Sequence, residues 1–203
     1  MYHGKFIIQI GSHVGNCIND PIFENIDENT KLILVEPVPY LFNQLIDNYK
    51  KKFNDLKNII FLNKAVSDFV GKIEMTIPSE DNDFSKLPFW ASQLSSIIPT
   101  HATDHIRCLK INKIIVETIT LDNIIKEYNV KEIDLLNTDT EGHDYNILMN
   151  YSFIIKPKQI LFEYKHIDGT FRIGEKCFEL IKKLLLLGYN KKYQNNEDMM
   201  FEL

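Results

Sequence analysis

Apolar residues along this 203-residue chain gather in short runs, separated by turn-rich or helix-periodic stretches. Runs such as Ile59-Ile60-Phe61-Leu62 and Ile133-Asp134-Leu135-Leu136 are nearly continuous, the pattern of parallel strands buried on both faces. Strands are expected at 5–10, 31–36, 58–62, 113–118, 133–138, 158–164, 188–193 and 198–203, and helices near 16–27, 39–53, 120–128, 141–150 and 174–187. Gly188 stands where a helix C-terminal cap belongs. Gln194-Asn195-Asn196-Glu197 reads as a hairpin turn, which makes the C-terminal edge antiparallel on an otherwise parallel sheet. The expectation is one α/β domain over residues 1–203, a doubly wound, mostly parallel seven-stranded sheet with an antiparallel C-terminal hairpin strand. Residues 79–112 break the alternation with Ser, Asp, Pro and aromatic residues; an irregular insert of that length is usually a lid or a poorly ordered loop.

The first strand, Phe6-Ile7-Ile8-Gln9-Ile10, runs into the turn Gly11-Ser12-His13-Val14-Gly15, and the second, Leu32-Ile33-Leu34-Val35, ends in Glu36-Pro37. A strand, a glycine turn, and a second strand closed by an acid is a nucleoside-handling arrangement: the turn admits a ligand and the acid chelates ribose hydroxyls. A dinucleotide fingerprint needs glycines at the first, third and sixth positions; from Gly11 these are Gly11, His13 and Asn16. A histidine crowds a diphosphate, so NAD and FAD are disfavoured. S-adenosyl-L-methionine carries adenosine without phosphate and asks only for an open turn and the acid. An ordinary βαβ unit with a surface glutamate is the plainer alternative for this segment alone.

Charge narrows the partners. The chain has 23 Lys+Arg against 28 Asp+Glu, a net charge of −5, and only two arginines, Arg107 and Arg172. A nucleic-acid substrate is therefore not favoured. Lys50-Lys51-Lys52 suits the C-terminal end of a helix. Cys17, Cys108 and Cys177 form no Cys-x-x-Cys pair, which argues for a reducing compartment and against a zinc knuckle. No apolar stretch reaches the length of a signal-peptide core or a membrane span, so a cytoplasmic protein is expected, with oligomeric state open.

Successive blocks resemble the FkbM-type methyltransferases over nearly the whole chain. They are Ile10 to Asn16, Val35-Glu36-Pro37-Val38-Pro39, Asn63 to Asp68 with Gly71, Ser92 to Ser96, Thr120-Leu121-Asp122 and Ile133 to Asp144. The resemblance implies a class I, Rossmann-like, S-adenosyl-L-methionine-dependent fold and O-methylation of a sugar or natural-product hydroxyl. Two positions depart from the family pattern: the acid two residues before the first glycine is Gln9, and the lysine opening the Asp-x-Glu-Gly block is Asn137.

On this basis the expected cofactor residues are Gly11, Ser12, His13, Gly15, Asn16, Glu36, Pro37, Ala65, Val66, Ser67 and Asp139, with Ala65 to Ser67 against the adenine. The ends of the first, fourth and fifth parallel strands carry Gly11, Asp139 and Glu163. Asp139, Glu141, Glu163 and His166 are the candidate catalytic groups, as positioning residues or bases. Thr138-x-x-Glu141 reads equally as a capping box, with Asp139 or Thr140 capping a helix from about 141. No metal is expected: Asp139 with Glu163 is too few carboxylates for Mg²⁺, and His101 with His105 lacks a His-Glu-x-x-His partner for zinc. Phe89 and Trp90 read as a substrate wall or as a plug holding the insert. The expected activity is methyl transfer to a hydroxyl of a glycan or small metabolite. The alternatives are an idle S-adenosyl-L-methionine-binding scaffold, motivated by Gln9 and Asn137, and an RNA-directed methyltransferase.

Overall fold

The structure is a computed structural model that describes residues 1–18 and 20–203. In chain order its elements are β1 (Phe6–Ile10), β2 (Lys31–Val35), α1 (Pro39–Lys52), β3 (Ile59–Leu62), β4 (Ala65–Val66), β5 (Gly71–Pro78), α2 (His101–His105), β6 (Ile111–Ile119), α3 (Leu121–Glu127), β7 (Leu135–Thr138), α4 (Asp144–Asn150), β8 (Gln159–Glu163), α5 (Glu175–Leu186), β9 (Asn190–Gln194) and β10 (Asp198–Glu202). Seven strands form one sheet in the order β3-β2-β1-β7-β8-β10-β9. β3, β2, β1, β7 and β8 are parallel, and β10 runs antiparallel to both its neighbours, as the hairpin turn predicted.

Side-chain alternation sorts the sheet into two buried faces. Ile7, Leu32 and Leu34 point to one side, where they pack with Leu45 and Tyr49 of α1. Ile8, Ile10, Ile33 and Val35 point to the other, against Ile124, Leu148, Leu180 and Leu184 of α3, α4 and α5. From β1 the chain moves outward to β2 and β3 on one side and later to β7 and β8 on the other. The crevice beyond the C-terminal ends of β1 and β7 is thus a topological switch point, where open α/β sheets bind ligands.

Three expectations are corrected. The helix expected at 16–27 is absent; the described part of that segment holds a single 3-10 turn, Phe23–Asn25. The side chain of Asp20 instead accepts from the backbone N–H groups of Ile22 and Phe23, and Pro21 has no N–H to continue a helix. The strand expected at 113–118 exists as β6 but lies outside the main sheet, in a three-stranded sheet β4-β6-β5. Its antiparallel partner β5, paired from Gly71↔Thr118 to Pro78↔Ile111, was not expected, although Lys72-Ile73-Glu74-Met75-Thr76-Ile77 alternates as a half-buried strand does. The helix expected from 141 starts at Asp144, and no capping box forms.

The insert is ordered. It holds two 3-10 turns, Phe84–Lys86 and Phe89–Gln93, and the short α2. Trp90 packs with Leu94, Ala102 and Leu109 inside it, while Phe89 is exposed, so the plug role falls to Trp90.

Candidate active site

The glycine turn after β1 is held by its neighbours. The N–H groups of Gly11 and Ser12 both donate to the carbonyl of Val35 at 3.0 Å. Gly11 has φ +81°, and a Cβ there would stand 1.8 Å from the backbone oxygen of Asp139, so this position tolerates only glycine. His13 follows at φ 48°, which turns its N–H onto Glu36 Oε2 at 2.9 Å. Val38 N–H donates to Glu36 Oε1 at 2.8 Å. Each carboxylate oxygen retains a lone pair, so the group fixed by the turn is still able to accept from a ligand. Burial pushes the Glu36 carboxyl up to about 7, against the opposing pull of the Val38 and His13 N–H groups.

Between this turn, the end of β7 and the insert lies a cavity with about 1000 Å³ of atom-free space, part of it open to solvent. Gly11, Ser12, His13, Glu36, Pro37, Ala65, Val66 and Asp139 line it, together with Leu41 and Met75. The remaining three expected cofactor residues do not. Gly15 packs on Leu45 and Tyr49, Asn16 bonds to Asn48 outside, and Ser67 Oγ turns to His143 Nε2 at 3.0 Å. The insert roofs the cavity through Gln93, Ser95 and Ile97, and His13 Nε2 lies 3.3 Å from the carbonyl of Ser92.

A second group of side chains meets at the cavity's inner end. Glu141 sits at φ 52° and Gly142 at φ +102°, a left-handed pair that carries Glu141 off the helix and onto the cavity wall. The carbonyl of Glu141 accepts from Ser96 Oγ at 2.8 Å. Its Oε2 lies 2.6 Å from His101 Nε2 and 3.9 Å from His166 Nε2. His166 Nε2 is 3.3 Å from Glu163 Oε1, and Glu163 Oε2 is buried without a partner. Glu141 reaches the cavity, whereas Glu163 and His166 stand behind it. Asp139 opens onto the cavity beside Glu141; the surrounding protein and the charges of Glu141 and Asp144 push its carboxyl well above the usual range. Burial and Asp144 raise Glu141 to about 8, while burial lowers His101 to about 4 and His166 to about 3. At neutral pH His101 and His166 are therefore neutral imidazoles beside a Glu141 carboxyl that is mostly protonated.

Two overlapping sets, His101/His105/His166 and Glu141/Glu163/His166, bring potential metal-ligand atoms within 4.8 Å of one another. The hydrogen bonds of His166 do not suit coordination through its Nε2. Phe171 N–H donates to His166 Nδ1 at 3.0 Å, which leaves the ring proton on Nε2, the atom that faces the two carboxyls. A protonated Nε2 donates to Glu163; it does not coordinate. His105 donates its Nδ1 proton to the carbonyl of His101 at 3.0 Å and stacks near Trp90 and Phe171. His101 was weighed in the sequence only as a zinc ligand, and its part in this network came from the fold of the insert, which no local pattern announces. Asp20 was not singled out at all.

A seven-stranded sheet in this order, a glycine turn at its switch point and an acid at the end of β2 define a class I, S-adenosylmethionine-dependent methyltransferase fold. The Methyltransferase FkbM domain model matches residues 9–191, and the chain belongs to that family. Solved structures agree on the fold. A methyltransferase FkbM from Methylobacillus flagellatus is similar at TM-score 0.57 and 10% identity, over 100% of this chain and 44% of that one. Aeropyrum pernix fibrillarin, solved with natively bound S-adenosyl-L-methionine, is similar at TM-score 0.50 and 15% identity, over 99% of this chain and 67% of its own. A putative methyltransferase from Thermoplasma acidophilum gives TM-score 0.51 at 10% identity, over 100% and 69%. This chain thus spans less than half the length of the Methylobacillus protein. No curated protein matches it. Among the described residues no helix is long and apolar enough to cross a membrane.

Proposed function

We propose that this chain binds S-adenosylmethionine in the cavity between β1 and β7 and transfers its methyl group to a hydroxyl of a glycan or small metabolite. The cavity walls fit the donor part by part: Ala65, Val66, Leu41 and Met75 offer an apolar slot for a base, and Glu36 an acceptor for ribose hydroxyls. When bound, the cofactor supplies an electrophilic methyl on a sulfonium. The remaining work belongs to the chain's residues.

The observation that carries the oxygen-directed reading is Glu141, a cavity-facing carboxyl raised to about 8 and backed by His101, Glu163 and His166. An alkyl hydroxyl is a poor nucleophile until its proton leaves, and a carboxylate with a raised pKa is a stronger base than an ordinary one. Glu141 in its ionised form takes the hydroxyl proton as the new C–O bond forms and the methyl–sulfur bond breaks, its electron pair leaving on the thioether sulfur of S-adenosylhomocysteine. Asp139 beside it orients the acceptor, and the roof from Gln93 to Ile97 excludes water. His166 Nε2–H donates to Glu163 and holds that second carboxyl behind the cavity wall. No metal enters this reading.

The test is transfer of label from methyl-tritiated S-adenosylmethionine to separate glycan, small-metabolite and RNA pools. Label is expected in a hydroxyl-bearing glycan or metabolite, and Glu141→Gln should lower the rate by about 10²- to 10⁴-fold. Transfer to RNA alone would contradict the acceptor class, and unchanged transfer by the Glu141 variant would contradict the base.

A further inference from the structure

Gln9 occupies the position where the family carries an acid, and its surroundings account for the exchange. The side chain, 3% exposed, lies on the cavity wall at the end of β1. Its Nε2 donates to Asp20 Oδ2 at 2.7 Å, while its Oε1 is buried with no hydrogen-bond partner. Asp20 is also on the cavity wall, and its other oxygen is tied by the N–H groups of Ile22 at 2.8 Å and Phe23 at 2.6 Å. Among the described residues no lysine, arginine or histidine forms an ion pair with Asp20, and burial raises its carboxyl. One wall of the cavity thus presents an orphaned amide oxygen beside a fixed carboxylate with no cation.

We infer that Gln9 and Asp20 together seat the α-ammonium of the amino-acid portion of the bound nucleoside, Asp20 supplying the charge and Gln9 Oε1 the second acceptor. The inference rests on the methyl-donor reading above and extends it to an end of the ligand that the ribose acid does not touch. An ammonium brings three donors and one positive charge, and the pair offers two acceptors and one negative charge. The amide at position 9 follows from the carboxylate at position 20. Two ionised acids at 2.7 Å would repel, whereas an amide donates to its neighbour and keeps its oxygen free as an acceptor. The negative charge has moved from the strand to the following loop, and one charge is kept.

Calorimetry with two ligands tests this: S-adenosylhomocysteine, which has the amino-acid end, and 5′-methylthioadenosine, which lacks it. Asp20→Asn should weaken S-adenosylhomocysteine by about 10- to 100-fold and methylthioadenosine by less than about 3-fold. The exchanged pair Gln9→Glu with Asp20→Asn should recover most of the loss, because it returns the carboxylate to the strand. Equal affinity of wild type and Asp20→Asn for S-adenosylhomocysteine would overturn the assignment, as would equal loss of both ligands. Should the variant not fold, the wild type decides: an S-adenosylhomocysteine analogue with hydrogen in place of the α-amino group must bind at least about 10-fold more weakly than its parent. If the wild type binds neither nucleoside, the methyl-donor reading itself falls and the seat with it; if it binds methylthioadenosine and S-adenosylhomocysteine alike, only the seat falls.

Discussion

Glu141 owes its place on the cavity wall to a backbone geometry that side chains seldom adopt. At φ 52°, next to Gly142 at φ +102°, it cannot continue a helix, so the chain kinks and α4 begins only at Asp144. A Cβ on residue 142 would meet Ile98 Cδ1 at 2.6 Å and the carbonyl of His166 at 2.9 Å, so the glycine is also what lets the insert and the His166 loop close on Glu141. If Glu141 is the base, it must be ionised to act, and its carboxyl is raised to about 8. The predicted kcat/KM therefore climbs as pH rises through about 8, and a profile flat from pH 6 to 9 would contradict the role. Gly11 carries a purely steric demand. Gly11→Ala drives a methyl group into the Asp139 carbonyl at 1.8 Å, which predicts a loss of more than about 2 kcal/mol in denaturant unfolding together with loss of nucleoside binding.

The strands most legible in the sequence carry the strongest apolar runs. β1, β2 and β7 are buried over nearly their whole length, β3 and β8 keep the run although several of their residues are only part-buried, and the C-terminal hairpin was marked by Asn195, whose side chain accepts from the N–H of Glu197. Elements built on weaker or competing signals were misread. β5 and β6 are exposed over much of their length, and nothing local distinguishes a strand of the main sheet from one of the smaller sheet. The segment after Gly15 has helical spacing of apolar residues, yet Asp20 and Pro21 turn it elsewhere. The site divides along the same line. Glu36, Asp139 and the glycine turn sit at strand ends and were found by position, whereas His101 and Asp20 come from connecting segments whose approach depends on the whole fold. α4 and α5 are coupled by a feature of this second kind: Lys183 Nζ donates to the carbonyls of Leu148, Met149 and Tyr151 at 3.0, 2.8 and 3.0 Å, closing the C-terminal end of α4. Lys183→Met should cost about 1–3 kcal/mol of stability in urea unfolding, with nucleoside affinity unchanged.

Over the whole molecule, the protein keeps several acids away from water along the walls of one cavity. Glu36 is raised to about 7 and Glu141 to about 8, from 4.5 for each. Between the unfolded and folded values the folded state binds more protons than the unfolded one, so ν_U − ν_N is negative and stability falls with rising pH. The contribution of these two acids is fully present below about pH 4.5 and is lost by about pH 8; His101 and His166, lowered to about 4 and about 3, add the opposite slope below pH 6.5, so the melting temperature without ligand should decline chiefly between about pH 6.5 and 8. A bound nucleoside should reverse part of this, since in the proposed role of Glu36 ribose hydroxyls donate to its ionised form. Its affinity should therefore strengthen as pH rises through about 7, with proton release measurable as a dependence of binding heat on buffer ionisation. The claim on which the rest stands is that Glu36 holds a nucleoside at the switch point of the sheet. It is tested most directly by titrating S-adenosylhomocysteine into wild type and Glu36→Ala at pH 8: the predicted result is single-site binding by the wild type, weakened by at least about 10-fold in the variant, and absence of binding heat in the wild type, or equal affinity in both, would contradict it.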